Sequence, residues 1–241
     1  MQTIKATLLC AVLLLFIACQ KEVVTKPVSF KGTEYVFLAP YDDNGKPNNL
    51  QKEVITPELI SFMRNSLPEK QDLRNSPLLT NNPTTDIKVT QRSEVFVTFV
   101  ASGTGNKNAV AFYTYPTSTP PTSPKDIKKI TYIFPNAGYR TSLVAGDKVS
   151  IGTFDPGVSI GFVLLQDAWN PNEKKPNNEA VHFCYSDALN PEVSPSLKKH
   201  VVLVDYPQEN KVLVGFEDLD RTNKECDHDF NDVVVYVTIN K

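Results

Sequence analysis

The sequence predicts an all-β fold: a β-sandwich, jelly-roll-like, with one short helix near its N-terminus. Three observations carry this reading. After about residue 85, ten short segments of strand composition follow one another, separated by turns rich in Pro, Asn, Gly and Ser. Only one stretch of the chain recurs at helical spacing. Strands such as "HVVLVDY" (200–206) are apolar on both faces, which suits a central strand of a packed sheet and not a half-exposed one. No internal repeat is visible.

The chain opens with "MQTIKATLLCAVLLLFIACQKE". Lys5 supplies a basic start, and the apolar run Leu8 to Ala18 is too short to span a bilayer as a mature helix, so residues 1–18 read as a cleavable signal peptide. Its end, Phe16-Ile17-Ala18-Cys19, resembles a lipobox, with a small residue before the Cys that is lipidated. Cys19 is therefore the expected lipid attachment point, and "CQKE" resembles the surface-export signal of some Gram-negative lipoproteins. These features predict a protein of the outer membrane, lipid-anchored and displayed at the cell surface. Residues 19–32 form the tether. Residues 33–84 supply an N-terminal strand ("TEYVFLA", 33–39), the helix and loops that pack on the domain. Thr56 can cap that helix, Pro57 fits its first turn, and Leu59, Phe62, Met63 and Leu67 line one face. The sandwich itself is expected over 85–241, from "DIKVT", "SEVFVTFVA", "NAVAFYTY", "DIKKITYIF", "KVSIG", "VSIGFVLL", "AVHFCY", "HVVLVDY" and "KVLVGFE" to "DVVVYVTI". "YPTSTPPTSPKD" between two of them is a surface loop, and "GTGNKN" reads as a hairpin connection.

Charge is concentrated in one place. The segment 217–232 holds seven acids and two bases, a local balance of −5, whereas the whole chain carries −2. Loss of residues 1–18 removes Lys5 and no acid, so everything else in the mature chain sums to +2. The acidity marks a site. No Lys/Arg cluster lies beside aromatics, which argues against nucleic acid as a partner. Like charges packed against the apolar strand "VVVYV" oppose folding unless a cation joins them, and calcium, which takes six to eight oxygen ligands, fits a loop offering Glu217, Asp218, Asp227, Asp229, Asn231 and Asp232. The alternation in "DHDFND" is that of the first half of an EF-hand, but Asp232 sits where that loop requires Gly, and the twelfth position, Thr238, lies in a strand. The segment is not an EF-hand. Strand pairing would bring Glu217-Asp218, ending one strand, next to Asp229 and Asp232, which begin the next. A solvated acidic loop whose carboxylates cap turns is the alternative.

"VGFEDL" (214–219) followed by "DHDFNDVVVYV" (227–237) resembles the signature of the family named domain of unknown function 4114. "SIGFVLLQDAW" (159–169) and "NAVAFYTY" (108–115) are similar to its upstream strands, so the resemblance spans roughly 85–240. It implies a secreted or surface β-sandwich with a calcium site at Glu217, Asp218, Asp227, Asp229 and Asp232, and no established activity. The chain departs from the pattern by inserting "DRTNKEC" (220–226), which leaves the part played by Asp220 open.

Other constellations are weaker. "GVSIG" (157–161) fits a nucleophile elbow, but it runs into a strand where that motif needs a helix. His182, Cys184, Cys226 and His228 supply the ligand types of a zinc site at unfamiliar spacings. Export and an even count favour a disulfide between Cys184 and Cys226, with free thiols and zinc as the alternatives. Tyr113, Tyr115, Tyr132, Tyr139 and Trp169, if exposed, could form a sugar-stacking platform. No catalytic set stands out, so the sequence reads as a non-enzymatic binding or adhesion module for glycan or protein. A glycosidase-like hydrolase using paired carboxylates is the rival reading.

Overall fold

The computed structural model describes residues 30–77 and 86–240. The signal peptide, Cys19 and most of the tether lie outside the described residues. Within them the strands are β1 (Glu34–Phe37), β2 (Gln51–Lys52), β3 (Ile87–Lys88), β4 (Ser93–Ser102), β5 (Ala109–Pro116), β6 (Lys129–Phe134) and β7 (Asp147–Phe154). They continue with β8 (Val158–Leu165), β9 (Trp169–Asn170), β10 (Lys175–Pro176), β11 (His182–Cys184), β12 (Val201–Tyr206), β13 (Lys211–Phe216) and β14 (Val233–Asn240). Each of the ten strand-like segments read from the sequence forms a strand; β2, β9 and β10, two residues each, had no periodicity to reveal them.

Two six-stranded sheets face each other. The first runs β1-β6-β5-β8-β11, with β3 also on β8; the second runs β12-β13-β14-β4-β7-β2. The all-β sandwich expected from the sequence is the fold. Within it, β12–β14 form an antiparallel meander in the second sheet. Alternation along each strand builds the interior. Val95, Val97 and Phe99 of β4, Val110 and Phe112 of β5, Phe162 and Leu164 of β8, and Val233, Val235 and Val237 of β14 all enter one cluster between the sheets.

The outward faces are covered as well, which is why so many strands are apolar on both sides. Helix α1 (Pro57–Ser66) forms where Thr56 accepts a hydrogen bond from the Leu59 N–H and Pro57 occupies the first turn. Its Leu59, with Leu67 just beyond it, packs on Val202, Leu213, Val234 and Tyr236 of the second sheet. On the first sheet, Phe30, Ile127, Ala168 and Leu189 cover Ala109, Ala111, Tyr113, Tyr132 and Val163.

Strand register decides where the acids go. β13 and β14 pair so that Phe216 opposes Val233, and β14 pairs with β4 so that Val233 opposes Ser102. Three chain segments therefore leave the second sheet at one end: Glu217-Asp218, Asp232, and the loop starting at Gly103. None of the described helices is long and apolar enough to cross a membrane.

Candidate metal site

At that end of the sandwich lies a cleft of about 380 Å³. Glu217, Asp218, Asp227, Asp229, Asn231 and Asp232, the six residues singled out in the sequence, all line it, joined by Glu69 and Glu225. Glu217, Asp218 and Asp229 are buried, although carboxylates are seldom fully removed from water without a partner. Ligand atoms of Glu217, Asp218 and Asp232 lie within 4.8 Å of one another, and so do those of Glu217, Asp227 and Asp229, so Glu217 is common to both groups.

The carboxylates differ in how well they are satisfied. Asp218 accepts from the Thr104 hydroxyl and from the side-chain amides of Asn106 (3.0 Å) and Asn108. An ionised carboxylate offers about four acceptor positions, so Asp218 keeps roughly one free. Asp229 accepts the backbone N–H groups of Lys70 (2.8 Å) and Asn231 (3.0 Å), and Asp232 accepts the Asp218 N–H at 2.8 Å. Glu217 is the exception. It is 1 % exposed, its Oε1 receives one long bond from the Leu219 N–H at 3.4 Å, and its Oε2 has no hydrogen-bond partner. The nearby Cys226 and Asp232 could serve it only as protonated donors.

Electrostatics follow from that geometry. Burial, then the negative charges of Asp218 and Glu217, push the Asp232 carboxyl up to about 10. Burial raises Glu217, helped by Asp227, and burial also raises Asp229. The buried Arg221 guanidinium feels the charge of Glu217 but is not bonded to it. Arg221 donates to the Lys199 carbonyl (2.9 Å) and to His228 Nδ1 (3.2 Å), and among the described residues it forms no ion pair with a carboxylate. The donor set lining the cleft is hard oxygen, the chemistry calcium selects, and among the described residues that line it the buried unpartnered side-chain atom is the Glu217 Oε2. These residues fit a calcium ion.

The backbone is bent to hold this arrangement. His228 and Phe230 both adopt left-handed conformations (φ 62° and 61°), which cost non-glycine residues of order 1–3 kcal/mol each. Phe230 is held there by complete burial under α1, and Gly215 makes room for its carbonyl: a Cβ at Gly215 would lie 2.4 Å from the Phe230 oxygen. The segment after α1 clasps the same loop, with Leu73 N–H donating to the His228 carbonyl and the Asn231 amide to the Leu67 carbonyl.

Several sequence readings need correction. "GTGNKN" is more than a hairpin connection, because its Thr104, Asn106 and Asn108 form the donor wall around Asp218; a run of neutral polar residues directly after a strand was the available signal. Asp220, whose part the sequence left open, does not line the cleft and caps its own turn through Thr222. The disulfide is not formed. Cys184 and Cys226 are free and buried, Cys184 in the apolar layer outside the first sheet and Cys226 beside Glu217 and His228. The zinc quartet is not assembled either: His182 bonds Tyr35 and the Ala180 carbonyl, whereas His228 sits 3.0 Å from Cys226. The aromatic platform fails as first drawn, since Tyr113, Tyr132 and Trp169 are buried. Ser159 lies in β8, fully buried and bonded to Thr117.

Comparison with curated proteins and with solved structures returns no match. Residues 154–240 match the model of a family described as Domain of unknown function (DUF4114), a narrower span than the 85–240 read from motifs, and it takes in β8–β14 together with Glu217, Asp218, Asp227, Asp229, Asn231 and Asp232.

Proposed function

We propose that this protein is a lipid-anchored, surface-displayed β-sandwich that binds calcium and acts as a binding or adhesion module for glycan or protein. The observation that carries the calcium reading is the buried, unpartnered Oε2 of Glu217 among four further carboxylates. When bound, the ion would supply positive charge and oxygen coordination. The protein's own groups do the positioning: Thr104, Asn106 and Asn108 orient Asp218, and the N–H groups of Lys70 and Asn231 orient Asp229. The ion's role is to fix the 217–232 loop to the end of the second sheet. The lipid anchor rests on the Ala18-Cys19 boundary, and Cys19→Ser should release the protein from the membrane fraction or leave it unprocessed.

Calcium titration by calorimetry tests the site. Extracellular calcium modules bind at roughly 10⁻⁴–10⁻³ M and tighter sites reach about 10⁻⁵ M. Wild type should give a heat in or near that range, and Asp229→Asn combined with Asp232→Asn should abolish it without loss of the β-rich spectrum. A wild-type protein with no calcium heat would reduce the cluster to a solvated loop. The hydrolase reading has one observation in its favour, a raised Asp232 carboxyl next to Asp218. Turnover of aryl glycosides that is lost in Asp232→Asn would support it over the binding module.

A further inference from the structure

The acids of the cleft fall into two clusters. Ligand atoms of Glu217, Asp218 and Asp232 make one compact group and those of Glu217, Asp227 and Asp229 another, and neither group takes in all five residues. We infer that the cleft holds two calcium ions, one in each group, with Glu217 as the carboxylate they share. This deepens the calcium reading by giving its stoichiometry and its bridging residue, and it rests on that reading.

Geometry sets the number. Calcium–oxygen distances are about 2.3–2.6 Å, so two oxygens on one ion lie at most about 4.6–5.2 Å apart. Each group of three meets that limit as it stands, with its ligand atoms within 4.8 Å of one another. Glu217 is the member both groups need. Its side chain is almost fully buried, Oε1 takes only the long bond from Leu219, and Oε2 has no partner, so neither oxygen is committed to the protein. Asp218 could not bridge in the same way, because three donors already occupy most of its acceptor positions.

The two groups belong to different parts of the fold. Phe216 opposes Val233, so Asp218 and Asp232 sit together at the end of the β13–β14 ladder, where the Asp218 N–H donates to Asp232. This inner group is part of the second sheet. Asp227 and Asp229 stand on the loop that turns through His228 and Phe230, and the Lys70 N–H, from the segment after α1, holds Asp229. Asp227 is exposed, so the outer group opens to solvent. An inner ion would pin β13 to β14, and an outer ion would pin the loop to that end of the sheet. The inner ion, with more buried ligands, is the tighter of the two.

Charge supports the same count. Seven carboxylates line the cleft (Glu69, Glu217, Asp218, Glu225, Asp227, Asp229 and Asp232), and Lys70 is the one base among the residues lining it. With all of them ionised the balance is −6; one calcium leaves −4 and two leave −2. Lys70 is itself exposed and reaches only Glu69, at 4.0 Å. A cleft of about 380 Å³ has room for two ions with bound water, since each water occupies about 30 Å³.

Full-length protein, stripped of metal by chelator, should be titrated by calorimetry, with bound calcium counted by equilibrium dialysis. Wild type should take two ions per chain in two steps. Asp232→Asn and Asp227→Asn should each leave one ion, and Glu217→Gln should weaken both steps at least tenfold, all with the β-rich spectrum kept. Asp227 is exposed, so that variant carries the test even where a change at buried Glu217 or half-buried Asp232 disturbs folding. One ion per wild-type chain overturns the inference and leaves the single-ion calcium reading standing; no ion defeats both. Two ions retained unchanged in Glu217→Gln, or both lost in Asp227→Asn, also overturn it, because the first outcome needs no shared carboxylate and the second denies separate groups.

Discussion

The two ends of β13 carry two charge clusters that obey the same physics with opposite results. At its start, Lys211 pairs with Glu53 at 3.1 Å and Glu209 at 2.8 Å, and Lys148 adds a second contact to Glu53 at 2.9 Å. Burial alone would raise Glu53, but its bonds to Lys148 and Lys211 outweigh that cost and hold its carboxyl below the ordinary value. Glu209 is lowered by its bond to Lys211 and then by Thr56. At the other end of the strand, Glu217, Asp229 and Asp232 are all raised. The first cluster is closed, because the protein supplies its own cations. The second is open: among the described residues no cation forms an ion pair with Glu217, Asp229 or Asp232, and burial raises all three.

The sharpest way to break this contrast is to open the closed end. Lys211→Ala leaves Glu53 and Glu209 without their shared cation; with both acids partly exposed, the loss should be about 2–3 kcal/mol, at the lower edge of what breaking a buried pair costs. Thermal melts should show that loss equally with and without calcium. Removing calcium from wild type comes next. At about 1 mM calcium and a Kd of about 10⁻⁵–10⁻⁴ M, mass action stabilises the fold by roughly 1.4–2.7 kcal/mol. Chelation should therefore lower Tm by about 3–10 °C. Asp229→Asn with Asp232→Asn should remove that response, and Glu173→Gln, in a distant exposed loop, should keep it.

The pH dependence sharpens the comparison further. Metal-free, Asp232 titrates near about 10 in the folded state against an ordinary value of 3.8, so between those limits the native state holds a proton that the unfolded chain has lost. Stability from this group is complete below about pH 4 and is lost as pH rises towards 10. His182 and His228, both depressed to about 4 chiefly by burial, slope the other way below about 6.5 and are neutral in both states above it. Calcium-free Tm should thus fall between pH 7 and pH 9, and saturating calcium, which keeps Asp232 ionised, should flatten the fall. The smallest effect belongs to Asp220→Asn. Asp220 only caps its own turn, so calorimetry should find the calcium affinity unchanged within about twofold and stability lower by at most about 1 kcal/mol.

How much of this was written in the chain depends on the range over which each feature acts. Strands announced themselves through period-2 alternation and turn residues, and α1 through Thr56 and Pro57, because those signals are local. The acids stood out because seven of them share sixteen residues. Their donors did not: Thr104, Asn106 and Asn108 are neutral and reach Asp218 from 110–114 residues away, so only the fold brings them together. The cysteines show the same limit. Alternation tells which strand residues share a face, but not that the Cys184 face would be roofed by Ala168 and Leu189 while Cys226 stayed with Glu217. Tyr113 and Tyr132 are buried for the same kind of reason, since their outward face is covered by chain from other parts of the sequence, such as Phe30 and Leu189.

The placement of β14 has a consequence for biogenesis. It lies between β13 and β4 and completes a ladder with residues made about 140 positions earlier, Val237 opposite Val97 for instance. Contacts of such long separation form late and slowly. Until Val233–Asn240 has been synthesised, β4 and β13 have no partner on the edges that β14 will fill, and the second sheet cannot close. The acid loop sits immediately upstream of the closing strand, so its carboxylates are brought to the end of the sheet only as the last ladder zips.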